Sequence, residues 1–157
     1  MSKLKIGDKA PSIMAKNHYG GSVSLKDYLG SKVILYFYPK DDTPGCTAEA
    51  CNLRDNYQAL QKMGYKIIGV SPDSQKTHVS FIAKNSLPFP LIADISKRVI
   101  LDYGVWGTRN FAGSESEGVN RMTFVIDEKG YIEKIIEEVD TKNHTQQIID
   151  AYKTETI

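Results

Sequence analysis

Two adjoining stretches decide the fold of this chain: Lys32-Val-Ile-Leu-Tyr-Phe-Tyr38 and Pro39-Lys-Asp-Asp-Thr43-Pro-Gly-Cys46. The first is a continuous run of apolar, β-branched and aromatic residues, which predicts a strand buried on both faces of a sheet. In the second, Thr43 is a favourable helix N-cap and proline follows it at the first helical position. The sequence therefore predicts a helix directly behind a buried strand, with Cys46 in its first turn.

Strands and helices are predicted to alternate outward from these two stretches. The predicted strands are 22–24 (after the turn at Gly20 and Gly21), 32–38, 65–70, 89–93 and a hairpin of 122–126 with 131–138; the predicted helices are 46–63, 75–85 (with Val79, Ile82 and Ala83 inward), 96–103 and 141–152. The polar, glycine-bearing segment 107–120 is predicted to be a long surface loop. This order predicts one α/β domain over residues 1–157, with a mixed central β-sheet flanked by helices.

Composition excludes several functional classes. The chain has 157 residues, of which 41% are hydrophobic and 25% charged, as in ordinary soluble domains. Its net charge of +1 argues against a nucleic-acid partner or an anionic membrane surface. The longest apolar run, 33–38, is far shorter than the roughly 20 residues of a membrane helix, and the N-terminus lacks the apolar run of a secretory signal. We therefore expect a cytoplasmic protein with reduced thiols.

The two cysteines are too few for a disulfide scaffold. At the start of a helix, free backbone N–H groups and the helix dipole favour an anion, so Cys46 is predicted to be a reactive thiolate. Inert apolar packing of Cys46 and Cys51 is the plainest alternative. Metal binding is disfavoured because His18, His78 and His144 lack ligand pairing. The four residues between the cysteines also argue against a thioredoxin-like dithiol reductase, which would have a Cys-x-x-Cys motif.

The segment Phe37-Tyr-Pro-Lys-Asp-Asp-Thr-Pro-Gly-Cys-Thr-Ala-Glu-Ala-Cys51 resembles the peroxiredoxins, specifically the bacterioferritin comigratory protein or peroxiredoxin Q subfamily. The similarity continues in Ile6-Gly-Asp-Lys-Ala-Pro11, Tyr103-Gly-Val-Trp-Gly107 and Arg121-Met-Thr-Phe-Val-Ile-Asp127, and so covers nearly the whole chain. The resemblance implies a thioredoxin-like fold and thiol-dependent reduction of hydrogen peroxide or organic hydroperoxides. It implies no bound cofactor and no metal.

The resemblance also implies roles for individual residues. Pro39, Thr43, Cys46 and Arg121 match the active-site quartet of the family, with Cys46 as the peroxidatic cysteine that becomes a sulfenic acid. Cys51 matches the resolving cysteine, which would close an intramolecular disulfide. Thioredoxin or a similar dithiol protein is then the expected reductant, and we expect a monomer or weak homodimer.

Each of these residues, and Glu49 as well, has two explanations: a role in catalysis and an ordinary structural role. Arg121 is always charged and presents a rigid fork that can donate to the peroxide oxygens, or it is a solvated arginine at a strand end. Thr43 can donate its hydroxyl to the peroxide or simply cap the helix. Pro39 can keep water off the thiolate or simply end the strand. Glu49 can hold a guanidinium or be an ordinary acid in the first helical turn.

Two other functions remain possible for the same cysteines. One is a disulfide oxidoreductase of thioredoxin fold that acts without peroxide. The other is a non-enzymatic redox sensor or holdase chaperone, which would need an exposed apolar surface. No amphipathic stretch remains for such a surface once the predicted core is assigned.

Overall fold

The computed structural model describes residues 4–111 and 114–153. Their strands are β1 (Met14–Lys16), β2 (Ser22–Ser24), β3 (Lys32–Phe37), β4 (Tyr65–Ser71), β5 (Leu91–Ala93), β6 (Trp106–Phe111), β7 (Ser114–Val119), β8 (Met122–Ile126) and β9 (Ile132–Ile136). Their helices are α1 (Pro44–Asp55), α2 (Tyr57–Lys62), α3 (Gln75–Asn85), α4 (Arg98–Asp102) and α5 (His144–Lys153), with a short 3-10 helix at Leu25–Tyr28. Among these residues, none of the helices combines the length and apolar character needed to cross a bilayer.

A five-stranded mixed sheet lies at the centre, in the order β5-β4-β3-β8-β9. Strand β3 runs parallel to β4 and antiparallel to β8, while β8 and β9 form the antiparallel hairpin that the sequence predicted. The pairs β1–β2 and β6–β7 form two further two-stranded sheets. The predicted α/β architecture with a mixed central sheet is therefore confirmed.

Strand β3 is buried on both faces, as its composition predicted. Alternate residues point to opposite sides of a strand, and here Val33 and Leu35 pack into one core while Ile34 and Tyr36 pack into the other. Four of the helices contribute to the second core, through Cys46, Ala50 and Leu53 of α1, Leu60 of α2, Phe81 of α3 and Ile148 of α5. Helix α1 thus lies on the sheet with its N-terminal cysteine facing inward.

Helix α1 is shorter than predicted, because the single helix expected over 46–63 is two helices that meet at Asn56. The side chain of Asn56 donates through Nδ2 to the carbonyl oxygen of Asn52 at 2.8 Å. That side chain therefore replaces a backbone donor at this carbonyl, as asparagine often does near helix ends. Gly64 ends α2 with a φ of +93°, the left-handed conformation expected of a terminating glycine.

The prediction of a long surface loop over 107–120 is wrong. Strands β6 and β7 pair antiparallel from Trp106 with Val119 to Phe111 with Ser114, and residues 112 and 113 of this segment lie outside the described residues. The polar composition is compatible with pairing because the two strands satisfy each other's backbone donors and acceptors. Val105 and Val119, which are buried, anchor the base of this hairpin in the core.

The inward face of α3 is also different from the prediction. His78 and Phe81 are buried, whereas Val79 and Ala83 are exposed and Ile82 is half-buried. A buried histidine is tolerated here because both of its ring nitrogens have partners: Nδ1 lies 2.6 Å from Asp41 Oδ2 and Nε2 lies 2.9 Å from the carbonyl oxygen of Ile92.

Candidate active site

The candidate site is built at the first turn of α1. Thr43 has extended backbone dihedrals (φ −97°, ψ 154°) and Pro44 occupies the first helical position, so Cys46 lies in the first turn as predicted. Its side chain is buried, with 1% of its surface exposed. Its Sγ lies 3.4 Å from Nη2 of Arg121. The thiol therefore combines the positive end of a helix with a guanidinium, two features that stabilise a thiolate.

Arg121 lies immediately before β8 and uses both arms of its guanidinium. Nη1 donates to Oε1 of Glu49 at 2.8 Å, and Nη2 faces Cys46. Gly45 leaves room for this approach, because a Cβ atom there would lie 3.2 Å from Arg121 Nη2, closer than an ordinary van der Waals contact. The expectation that Glu49 could hold a guanidinium is confirmed by this geometry.

Cys46, Glu49 and Arg121 form a cluster whose charges affect one another strongly because Cys46 and Glu49 are buried. Burial raises the pKa of Glu49 to about 7, although the neighbouring Arg121 acts in the opposite direction. Burial lowers the pKa of Arg121, but the nearby Cys46 and Glu49 raise it, and the net direction is upward. Arg121 therefore stays charged and is the cation that both acidic groups share.

Thr43 and Pro39 lie in the loop between β3 and α1. The hydroxyl of Thr43 donates to the carbonyl oxygen of Lys40 at 2.9 Å and does not cap the helix through its side chain. Pro39 is half-buried. Within residues 4–111 and 114–153, no hydrogen bond joins either residue to the thiol of Cys46. The structure thus brings Arg121 into contact with Cys46, whereas Thr43 and Pro39 lie in the loop before α1.

This loop is tied to α3 by a cluster that no sequence motif indicated. Asp41 is buried, accepts a hydrogen bond from Tyr38 Oη at 2.7 Å and contacts His78, while its backbone N–H donates to Asp73 Oδ2 at 2.8 Å. Among the described residues, Asp41, Asp73 and His78 place ligand-type atoms within 4.8 Å of one another, as a metal site would. Hydrogen bonds within the protein account for that closeness, so the cluster is an anchor for the loop.

Cys51 lies in the same helix as Cys46, and both cysteines are free thiols in this structure. The Cys51 side chain is half-buried, and its Sγ lies 3.6 Å from Oδ1 of Asn85 at the end of α3. Arg54, one turn further along α1, donates to the backbone carbonyl of Asn85 at 2.8 Å. The end of α3 therefore contacts α1 at Cys51 and at Arg54.

Two further residues of the site were missed by sequence reasoning. His144, the first residue of α5, and Thr123 of β8 are fully buried behind Glu49. His144 Nε2 lies 2.8 Å from Thr123 Oγ1 and 3.5 Å from Glu49 Oε2. The sequence carried no signal for this contact, since 94 residues lie between Glu49 and His144 and the histidines were considered only as metal ligands.

Comparison with known proteins agrees with this geometry. The sequence profile of the AhpC/TSA family matches residues 6–135. The chain is 41% identical to a putative peroxiredoxin bcp of Haemophilus influenzae over 98% of this chain and 99% of that protein. It is also 41% identical to peroxiredoxin Bcp of Bacillus subtilis over 96% of each. The chain belongs to the AhpC/TSA family as a peroxiredoxin.

A solved structure agrees with this assignment of the peroxiredoxin fold. The bacterioferritin comigratory protein of Xanthomonas campestris, studied for its alkyl peroxide reduction activity, superposes with a TM-score of 0.84 at 28% identity over the full length of both chains. The thioredoxin-like peroxiredoxin fold implied by the sequence resemblance is therefore confirmed. As a peroxiredoxin, the protein is a thiol-dependent peroxidase.

Proposed function

We propose that this peroxiredoxin reduces hydrogen peroxide and organic hydroperoxides at Cys46, with Cys51 as the resolving cysteine. The observation that carries the proposal is the 3.4 Å approach of Arg121 Nη2 to the buried Sγ of Cys46 in the first turn of α1. A peroxide oxygen that approaches this sulfur also approaches the guanidinium. Donors aimed at atoms that gain negative charge are the largest contribution to many enzymatic rates.

The proposed reaction has three steps. The thiolate of Cys46 attacks one peroxide oxygen, the O–O bond breaks, and the sulfur becomes a sulfenic acid while the leaving oxygen takes a proton to give water or an alcohol. The thiol of Cys51 then displaces the sulfenic hydroxyl, which forms a disulfide and releases water. An external dithiol finally reduces the disulfide through a mixed disulfide and is itself oxidised.

Arg121 and the residues around it have distinct proposed roles. Arg121 donates to the peroxide oxygens and Glu49 holds its guanidinium in place. We assign the hydroxyl of Thr43 as a second donor to the peroxide, although it is bonded to Lys40 in the structure without substrate. Pro39, which is half-buried in the same loop as Thr43, restricts the access of water to the sulfur.

We propose thioredoxin, or a similar dithiol protein, as the reductant. A protein dithiol suits a disulfide that forms between two cysteines of one chain, since each turnover of the peroxidase consumes two thiols. We propose a monomer or weak homodimer in a reducing compartment such as the cytoplasm. Two cysteines are too few for a disulfide scaffold, and the net charge of +1 gives no support for a nucleic-acid or membrane partner.

The test is peroxide-dependent oxidation of reduced thioredoxin by the purified protein. We expect turnover with hydrogen peroxide and with an alkyl hydroperoxide, and none by Cys46→Ser. Turnover that survives Cys46→Ser would reject the proposal, as would its absence in the unaltered protein. Reduction of insulin disulfides independent of peroxide would favour a disulfide oxidoreductase. Protection of an aggregating client by Cys46→Ser as well as by the unaltered protein would favour a holdase.

A further inference from the structure

One buried carboxyl oxygen in this site has no hydrogen-bond partner among the described residues. Glu49 is completely buried, and its Oε1 accepts from Arg121. Its second oxygen, Oε2, makes no hydrogen bond within the described residues and points to the ring of His144, whose Nε2 is 3.5 Å away. Buried polar atoms are nearly always paired, so the protonation of these two groups decides whether this contact is favourable.

The surroundings of His144 determine which of its nitrogens carries hydrogen. The side chain of Gln147 accepts at Oε1 from the backbone N–H of Asp140 (2.9 Å) and donates from Nε2 to the backbone carbonyl of Glu138 (2.6 Å). A backbone N–H only donates and a backbone carbonyl only accepts, so these bonds fix the orientation of the Gln147 amide. Its Oε1 lies 2.9 Å from Nδ1 of His144. Nδ1 must therefore carry the hydrogen.

The other ring nitrogen of neutral His144 is then an acceptor. Nε2 lies 2.8 Å from Oγ1 of Thr123, whose hydroxyl donates to it. A Glu49 carboxylate would place its Oε2 lone pairs opposite the lone pair of Nε2, which is unfavourable. A Glu49 carboxylic acid would remove this repulsion, and its O–H could turn toward the same nitrogen as a second, weaker donor beside the Thr123 hydroxyl, at 3.5 Å rather than 2.8 Å. The tautomer of His144 thus favours the protonated form of Glu49.

Electrostatic effects act in the same direction. Burial raises the pKa of Glu49 to about 7 and lowers that of His144 to about 4, so a proton shared between them resides on Glu49. Arg121 opposes the first shift by favouring the Glu49 carboxylate. The titratable and charged groups that face this pair are Cys46 on α1, Tyr36 on β3, Arg121 before β8 and, on the His144 side, Asp140 before α5.

We infer that His144 is a positioning residue that keeps a proton on Glu49 in the reduced enzyme, so that Arg121 is left to stabilise the thiolate of Cys46. A thiol with a Glu49 carboxylate and a thiolate with a Glu49 carboxylic acid contain the same number of protons and the same net charge beside Arg121. The second distribution therefore places no additional charge in the buried site. This inference rests on the proposed role of Cys46, but the proton on Glu49 can be observed without any peroxide.

The first experiment uses the unaltered reduced protein. Carbon-13 NMR of side-chain-labelled glutamate, with the Glu49 signal identified by its loss in Glu49→Gln, gives the titration midpoint of this carboxyl. We expect a midpoint near pH 7, together with nitrogen-15 shifts that report His144 as the neutral Nδ1–H tautomer. A midpoint near 4, as for an ordinary glutamate, or a charged His144 at neutral pH would overturn the inference.

The second experiment asks whether His144 acts through Glu49. In His144→Gln, an amide N–H can donate to Oε2, so we expect the Glu49 midpoint to fall by about one pH unit or more, a tenfold change in protonation. Alkylation of Cys46 at pH 6, measured in a Cys51→Ser background, should slow several-fold. In Glu49→Gln, which carries no titrating carboxyl, the same His144→Gln change should leave alkylation unaltered. An equal slowing in both backgrounds would show a merely structural role and overturn the inference.

These measurements also separate the two proposals. A Glu49 midpoint near pH 7 in a protein that fails to turn over peroxide would uphold the proton on Glu49 and reject the proposed function. Peroxidase activity with a Glu49 midpoint near 4 would uphold the proposed function and reject the proton on Glu49.

Discussion

If Cys51 resolves Cys46, oxidation must unwind helix α1. The two residues lie in one helix, and five helical residues advance about 7.5 Å along the axis and about 140° around it, which separates their Cα atoms by about 8.7 Å. A disulfide requires a Cα separation below about 7 Å, and the two side chains also leave the helix in different directions. The bond can therefore form only after the first turns of α1 have opened.

The free-energy cost of this opening comes from the interactions that it breaks. Unwinding between the cysteines removes Glu49 from Arg121 (2.8 Å) and Cys51 from Asn85 (3.6 Å). A hydrogen bond to a charged group contributes about 1.5–3 kcal/mol, so the Glu49 interaction alone corresponds to about 10- to 150-fold protection from opening in the reduced form. The backbone hydrogen bonds of the helix add to this protection.

Hydrogen exchange of residues 46–52 measures the difference. We expect these amides to exchange at least about tenfold faster in the disulfide form than in the reduced form, because the hydrogen bonds of Glu49 and Cys51 are then broken. Helix α3, residues 75–85, provides an internal control whose exchange should change much less. Equal and strong protection of 46–52 in both forms would refute the reasoning, and would mean that Cys51 is not the resolving partner.

Three further predictions concern single residues. Cys51→Ser should still consume about one equivalent of peroxide and then stall until a small thiol is added; a fast first reaction retained by Cys46→Ser would reverse the two roles. Arg121→Lys keeps the charge but loses the fork, so the stopped-flow rate with peroxide should fall on the order of 10²-fold, and a rate within about threefold would remove Arg121 from the mechanism. Urea unfolding at different pH values tests the two shifted pKa values. The raised pKa of Glu49 (about 7, from 4.5) contributes stability below pH 4.5 that is lost as the pH rises through 7. The lowered pKa of His144 (about 4, from 6.5) contributes stability above pH 6.5 that is lost as the pH falls through 4. Glu49→Gln leaves only the second effect, so its unfolding free energy should fall between pH 6.5 and 4 by up to about 3 kcal/mol more than that of the unaltered protein, and equal slopes would contradict this.

The elements that could be predicted from sequence are those whose local chemistry and tertiary environment agree. The buried strand near 32–37, the helix over 75–85 and the strand over 122–126 were each marked by composition and by their flanking residues. Helix α1 was predicted too long because a side chain, Asn56, competes for a backbone carbonyl, and hydrophobic spacing contains no trace of that competition. The β6–β7 hairpin was missed because its sequence lacks the apolar alternation by which strands were recognised, and the pairing depends on backbone hydrogen bonds.

The residues of the candidate site likewise differ in how far local sequence could reveal them. Cys46 and Arg121 could be recognised because their motifs resemble a known family, and Glu49 because it lies one turn after the cysteine. His144 could not be recognised, since its role depends on the approach of α5 to α1. That approach is made through Asn52, whose Oδ1 accepts from the backbone N–H of Thr145 at 2.8 Å. Such contacts between distant segments are fixed by packing and leave no local pattern in the sequence.

If Cys46 attacks peroxide and Cys51 resolves it, as we propose, helix α1 serves two steps that make opposite demands on it. The attack on peroxide needs the helix intact, because its first turn places Cys46 beside Arg121 and its second turn supplies Glu49. Formation of the disulfide needs the same turns open. A helix that is too stable would leave the sulfenic acid exposed to a second peroxide, and therefore to irreversible over-oxidation. A helix that is too loose would separate Cys46 from Arg121 before any peroxide arrives. Asn52, just beyond Cys51, donates to the carbonyl oxygen of Lys142 before α5 and accepts from the backbone N–H of Thr145 in α5. These bonds can hold the rest of the helix while its first turns unwind.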